Sequence, residues 1–397
     1  MKPPRPPGGA SVWWQRAIYA AVIAYFVLGV AAHWRADSGF TSLIRFGQPF
    51  ASRRLPELRQ LPVATAPASG YDGQFYAQLA VRPDVRSPDV QRALDNPEYR
   101  ARRILLPLVA HTLGAGQPWL TLQIYALLNV AAWGAFAWLL HRETRDRGVS
   151  GTLVWGTCLL NLGTLDSVRE SLTDLPATLL IASAIALLAG ERNKTWLAAA
   201  LLSAAGLVRE TAVLAVTMLA PQSANDRRGW RDRLAPMALA VLPAAVWMRW
   251  LAHLSPGGNL SGAASNFDWP GRAFLRHFYE CGAALLAGSR HEQFIFGPLA
   301  ALGLAWQSVS IIRRAWHDPA PWARAALPFA LMFWVLGDAE WGGRAGGGYW
   351  AVARVCLPMT VAYALLLPRG RRFWWWLALP NICVLHAVIR FWPDFVF

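Results

Sequence analysis

Charge is scarce in this chain of 397 residues: 15% of its side chains are charged, against roughly 25% in soluble domains. That shortage excludes an ordinary cytosolic enzyme. Lysine is almost missing, because only Lys2 and Lys194 occur and the other 36 basic residues are arginines. With so uniform a composition, an arginine carries meaning through its position. Cysteine is scarce too. Cys158, Cys281, Cys356 and Cys383 lie far apart, with no CxxC or Cys/His spacing, which excludes a zinc ribbon or a disulfide framework and leaves unpaired thiols. Heptad runs, sequence repeats and low-complexity domains are absent. The stretch Gly342 to Gly348 lacks the GK[ST] that a phosphate-binding loop requires, and it reads as a flexible outer loop.

Apolar residues are abundant. The chain is 55% hydrophobic and its mean hydropathy is +0.28, concentrated in stretches long enough to cross a bilayer. The net charge of +15 sits in small arginine clusters between those stretches, at Arg142 to Arg147, Arg227 to Arg233, Arg313 and Arg314, and Arg369 to Arg372. Such a distribution marks cytoplasmic loops, not a nucleic-acid surface. We therefore expect a single all-α polytopic membrane domain over residues 1–397, with about eleven transmembrane helices and outer-side interfacial helices. Its N-terminus would be cytoplasmic, and the first apolar stretch a retained span, not a cleaved leader. Residues 33–117 read as a large extracytoplasmic loop and 255–293 as a second one. Within the first, Ser87-Pro88 and Asn96-Pro97 each place a capping residue before a proline, so two short helices are expected. The second would run through Tyr99 towards His111. In the second loop Phe274, Leu275, Phe278 and Tyr279 recur at the spacing of an interfacial helix. The stretch Trp196 to Pro221 has cytoplasmic charge signals at both ends and Arg209-Glu210 at its centre. A hairpin of two short helices, tipped by that pair, resolves the conflict and keeps both charges out of lipid.

With this topology, the acidic and basic residues that cytoplasmic loops do not explain collect on the outer side. Asp72 lies in Gly70-Tyr71-Asp72-Gly73-Gln74-Phe75-Tyr76, either as a helix cap or as a carboxylate placed under a sugar. In the turn from Leu165 to Asp174, helical geometry would put Asp166, Glu170 and Asp174 on one face, and Pro176 limits that continuity. Asp166 or Glu170 would then lie beside Asp72. Arg209 either pairs with Glu210 or holds a lipid phosphate through its guanidinium fork. Arg102, Arg103, Arg344 and Arg354 are further phosphate candidates, while Tyr71, Gln74 and Tyr76 could touch sugar or acceptor.

The order of these features resembles the GT-C superfamily of membrane glycosyltransferases. Tyr71-Asp72-Gly73-Gln74-Phe75-Tyr76, followed by Tyr99-Arg100-Ala101-Arg102-Arg103-Ile104-Leu105-Leu106-Pro107, looks like the bacterial branch linked to cell-surface polysaccharide formation. The resemblance implies transfer of a sugar from a polyprenyl-phosphate carrier to a glycan or glycolipid acceptor at the extracytoplasmic face of a bacterial inner membrane, with inversion. It assigns Asp72 as the catalytic acidic residue, Asp166 to the region of a second one, and Arg209 to the carrier phosphate. No nucleotide cofactor is implied. A divalent metal stays open, because the motif is Asp-Gly and not a paired Asp-x-Asp. The rival readings are a transporter or flippase of lipid-linked saccharides and a non-catalytic scaffold in polysaccharide assembly; transport would call for inverted repeats and mid-membrane polar residues.

Overall fold

The computed structural model describes residues 9–190, 194–221, 226–254, 266–317, 320–342 and 349–393. They are overwhelmingly helical. The all-α expectation needs one amendment, a two-residue parallel pairing of Phe46–Gly47 with Thr65–Ala66. Four stretches are long and apolar enough to cross a membrane: Val12–Ala32, Pro118–Leu160, Arg227–Leu254 and Glu292–His317. Two sharply bent helix pairs, Tyr349–Val355 with Leu357–Leu366 and Phe373–Asn381 with Cys383–Arg390, raise the number to six. Length and composition thus support an integral membrane protein with four to six spans, not all of the eleven expected.

The Pro118–Leu160 stretch folds back on itself. Gly148, at φ +62°, reverses the chain in the left-handed region that glycine favours. Trp133 donates to the Leu159 carbonyl at 3.2 Å and Trp155 to the Ala137 carbonyl at 2.8 Å, an antiparallel register. The first helix packs on this hairpin, with Phe26 stacked on Trp133. It also meets the last helix, where the Tyr25 hydroxyl donates to the Val388 carbonyl and the Phe391 ring fills the space left by Gly29.

The segment 33–117 is more than a loop, because it has a hydrophobic core of its own. Leu43, Phe46, Leu55, Leu58, Tyr76 and Leu79 are fully buried there, together with Leu122 and Tyr125 from the following helix. Both proline-led helices form, over Pro88–Ala93 and Pro97–Ala101. Asn96 caps the second by accepting from the Tyr99 amide at 3.1 Å, whereas Ser87 makes no capping bond. The second helix stops at Ala101 and does not run on to His111. A new helix, Leu105–Leu113, starts after a break that frees Arg102 and Arg103 to point in different directions. His111 ties that helix to the Gly73–Val81 helix through the Ala80 carbonyl, 2.9 Å away.

The hairpin tipped at Arg209 is present as two short helices, Thr195–Val208 and a 3-10 turn series Glu210–Leu219. Arg209 itself is extended, at φ −152° and ψ 121°. Arg233 donates to Thr195 at 2.9 Å, Arg324 donates to the Ala220 carbonyl, and the charge of Arg233 acts on Arg324. Both feet of the hairpin therefore share one end of the molecule, and its tip points to the end that carries 33–117. Of the second loop, 255–265 lies outside the described residues. The Arg272–Leu286 helix that follows packs Phe274 against Phe333, Trp334 and Trp341 and leaves Leu275 and Tyr279 exposed.

Candidate functional site

Three backbone strands of chain meet at Asp72. The turn at Arg45 and the turn at Ser171 each hold a non-glycine residue in the left-handed region, at φ 58° and φ 47°. Conformations of this kind persist only where neighbours over-determine them. Here the Tyr71 amide donates to the Arg45 carbonyl at 3.1 Å, Ser171 Oγ donates to the Leu43 carbonyl at 3.0 Å, and Tyr125 donates to the Ser171 carbonyl at 2.8 Å. Gly73 explains the Asp-Gly pairing: a Cβ there would stand 2.1 Å from the Glu170 carbonyl oxygen. Only glycine lets the Asp72 turn seat directly on the Glu170 turn.

Asp72 does not cap its helix. It is itself helical, at φ −53° and ψ −34°, and makes no side-chain capping bond. Its carboxylate faces Arg100 at 3.0 Å and remains 30% exposed. Burial alone would raise its pKa, but Arg100, Arg354 and Arg103 outweigh that and hold it down at about 2. Arg100 is further gripped by Asp95, through contacts of 2.6 and 2.8 Å, and lies over the Phe75 ring. Sequence reasoning passed over Arg100, although it stands in the same arginine run as the chosen Arg102 and Arg103.

Arg103 and Arg102 part company at the helix break. Arg103 reaches Glu210 with two parallel bonds of 2.8 and 2.9 Å, and donates to Tyr99 and to Tyr76. Arg102 pairs locally with Glu98 at 3.1 Å and stays at the edge. The Arg209–Glu210 pairing is absent. Arg209 instead pairs with Asp174 at 2.9 Å, and Arg354 approaches the other oxygen of Asp174 at 3.7 Å while donating to Tyr71 at 2.6 Å. The cavity beside this group, also lined by Thr178, Thr211 and Phe329, measures about 10 Å³, room for one water. Asp174 is 2% exposed and bridges the two arginines. A second, larger apolar groove, about 410 Å³ and lined by Leu299, Trp306, Trp375 and Leu379, holds none of these residues.

The acidic turn does not form one continuous face. The Leu162–Arg169 helix ends before Glu170, and the next helix starts at Asp174, so Ser171 turns Asp174 away from the other two. Pro176 does not interrupt the new helix; it sits in its first turn. Asp166 and Glu170 face Arg390 at 3.8 and 3.9 Å, and Arg45 donates to Glu170. Both carboxylates lie close enough to Tyr71 to raise its hydroxyl further, after burial itself has done most. Glu340, which the sequence did not single out, also faces the group. Burial raises its carboxyl, Arg209, Arg354 and Arg103 oppose the rise, and Asp72 adds to it.

Of the three expected sugar contacts, two serve the scaffold. Gln74 accepts from the Gly47 amide and donates to the Ser69 carbonyl, and Tyr76 is wholly buried under Arg103, its hydroxyl pushed up to about 12 by burial against the pull of Arg103 and Arg100. Tyr71 stays at the site. Arg344 lies outside the described residues. Among the described residues no three His, Cys, Asp or Glu side chains gather as metal ligands would, and all four cysteines are unpaired. No protein-family model, curated protein or solved structure matches this chain, so its own residues carry the functional reading.

Proposed function

We propose that this protein is a membrane glycosyltransferase of the GT-C type, moving a sugar from a polyprenyl-phosphate carrier to a glycan or glycolipid acceptor on the extracytoplasmic face, with inversion. One observation carries the reading: a partly open carboxylate, Asp72, stands within the field of Arg354, which shares the buried Asp174 with Arg209. The two guanidiniums converge beside a carboxylate, with Glu340 facing the same group, which is the charge pattern for a departing phosphate opposite an attacking hydroxyl. In the free protein Asp174 stands where that phosphate would be. Donor binding exchanges one anion for another, and the eleven-crossing topology would bring the carrier's phosphate to this level.

The resting basicity of Asp72 is low. A donor phosphate that engages Arg354 and Arg209 offsets the field that holds Asp72 down, so the carboxylate gains basicity only when the donor is present. Asp72 then orients the acceptor hydroxyl and takes its proton as the new glycosidic bond forms, while the phosphate leaves with the electrons of the old one. The test is transfer from a purified polyprenyl-phosphate sugar in nanodiscs. Asp72→Asn should lower the rate by about 10²- to 10⁴-fold and leave donor binding in place. Transfer by Asp72→Asn within about threefold of the parent, far below that range, would remove Asp72 from the chemistry.

A further inference from the structure

We infer that Arg169, with Asp166 and Arg390, forms a binding site for an acidic sugar, and, given the transferase reading, that this sugar belongs to the acceptor. Arg169 is 6% exposed, yet among the described residues it makes no hydrogen bond and no ion pair. A buried guanidinium without an anion is costly. No carboxylate pairs with it directly: Glu170 is taken by Arg45 and Arg390, Asp166 by Arg390, and Glu292 acts on Arg390. Two more atoms nearby lack partners. Asp166 Oδ2 is a buried acceptor with nothing donating to it, and Arg390 Nε a buried donor with nothing accepting.

Orphaned buried groups of both kinds point to a missing ligand with matching groups. An anion alone would satisfy the arginines and repel Asp166. A ring that carries both a carboxylate and hydroxyls satisfies all three: the carboxylate on Arg169, a hydroxyl donating to Asp166, a ring or hydroxyl oxygen accepting from Arg390. This is the chemistry of a uronic acid. The position suits an acceptor, because Tyr71 lies within the field of Asp166, Glu170 and Asp72 and accepts from Arg354, which links this group to the Arg209–Asp174–Arg354 group. Donor and acceptor would thus meet at Tyr71 and Asp72.

The experiment uses the full-length protein in nanodiscs at fixed ionic strength, with glucuronate, glucose and inorganic phosphate as probes, read by calorimetry and by melting temperature. Glucuronate should bind at least ~10-fold more tightly than glucose, as expected when a buried charge gains its partner. Arg169→Met should lose that preference, Arg169→Lys should keep part of it, and Arg209→Met should retain it. Without any anion Arg169→Met should melt no lower than the parent, since it removes an unpaired buried charge. Equal binding of glucose and glucuronate, or a preference that survives Arg169→Met, would overturn the site. So would a ligand-free Arg169→Met that melts well below the parent, which would make Arg169 a structural residue, and so would loss of the preference in Arg209→Met alone, which would assign it to the donor phosphate site. Phosphate that displaces glucuronate in the parent but not in Arg169→Met supports the shared anion chemistry. Arg169-dependent glucuronate binding in a protein that transfers no sugar would sink the transferase reading and leave this site standing; transfer without such binding does the reverse.

Discussion

Two properties of Asp72 come from its neighbours and not from a helix end: arginines depress its pKa, and its carboxylate stays partly exposed without making a capping bond. Because its folded value, about 2, lies below the ordinary 3.8, the stabilisation from its arginines is present in full above about pH 4 and fades as pH falls towards 2. The pH–rate profile follows from this. As kcat/KM reports the free enzyme, it should show no acid limb from Asp72 above about pH 3, while the limb in kcat, which reports the complex, moves upward. An acid limb in kcat/KM near the ordinary carboxylate value that vanishes in Asp72→Asn would contradict the arginine field. Since no cap is lost, Asp72→Asn and Asp72→Ala should also melt alike, without the ~1 kcal/mol gap that capping predicts. In the sequence Asp72 was visible through its glycine and aromatic neighbours. Arg100 was not, because only the three-dimensional approach of two segments distinguishes it from the arginines beside it.

Among the elements, the hairpin from Thr195 to Ala220 was legible because charge signals at both ends contradict a single crossing. What the signals could not reveal was the choice of partners at its tip. Adjacent residues on an extended backbone point to opposite sides, so Arg209 turns to Asp174 and Glu210 to Arg103. Local pairing was one of two readings open in the sequence, and it is not what forms. The consequence is a specific pattern of rescue. Arg209→Ala leaves Asp174 with Arg354 alone, at 3.7 Å, and should cost up to about 3–5 kcal/mol, the range for a broken buried pair. Asp174→Asn in the same chain should recover much of that stability, and Glu210→Gln should recover none. Thermal unfolding of the single and double variants decides it, and equal rescue by Glu210→Gln would restore the local pair. The acidic turn was misread for a related reason: helical periodicity assumes continuity, and the left-handed Ser171 ends it.

Over the whole molecule, the positive clusters and the candidate site fall at opposite ends. Arg147 donates to the Leu365 carbonyl at one end, and Arg233 and Arg324 hold the feet of the hairpin. Asp72, Glu210 and Asp174 meet at the other. Charge placement made this polarity legible without any contact being known, since it depends on counts in loops and not on packing. The independent core of residues 33–117 was not legible, because its apolar residues are interspersed with Pro, Gly and Asp at no single period. If the arginine clusters are cytoplasmic, Arg145→Cys and Arg92→Cys, in a chain without its native thiols, should react with an impermeant maleimide from inside and outside respectively. Labelling of both from one side would end the proposed orientation and place the site elsewhere.

The pairing of distant segments at the site also orders events during synthesis. Arg103 waits for Glu210, Arg45 for Glu170, and Tyr71 for Arg354. A nascent chain that has threaded only its first helices carries lone arginines and lone carboxylates, each still hydrated. The last of these pairs forms only once the ribosome has passed Arg390, whose guanidinium closes on Asp166 and Glu170. Until then the site's carboxylates and guanidiniums lack part of the pairing they have in the finished fold, so a chain cut short before Arg390 should not build this site.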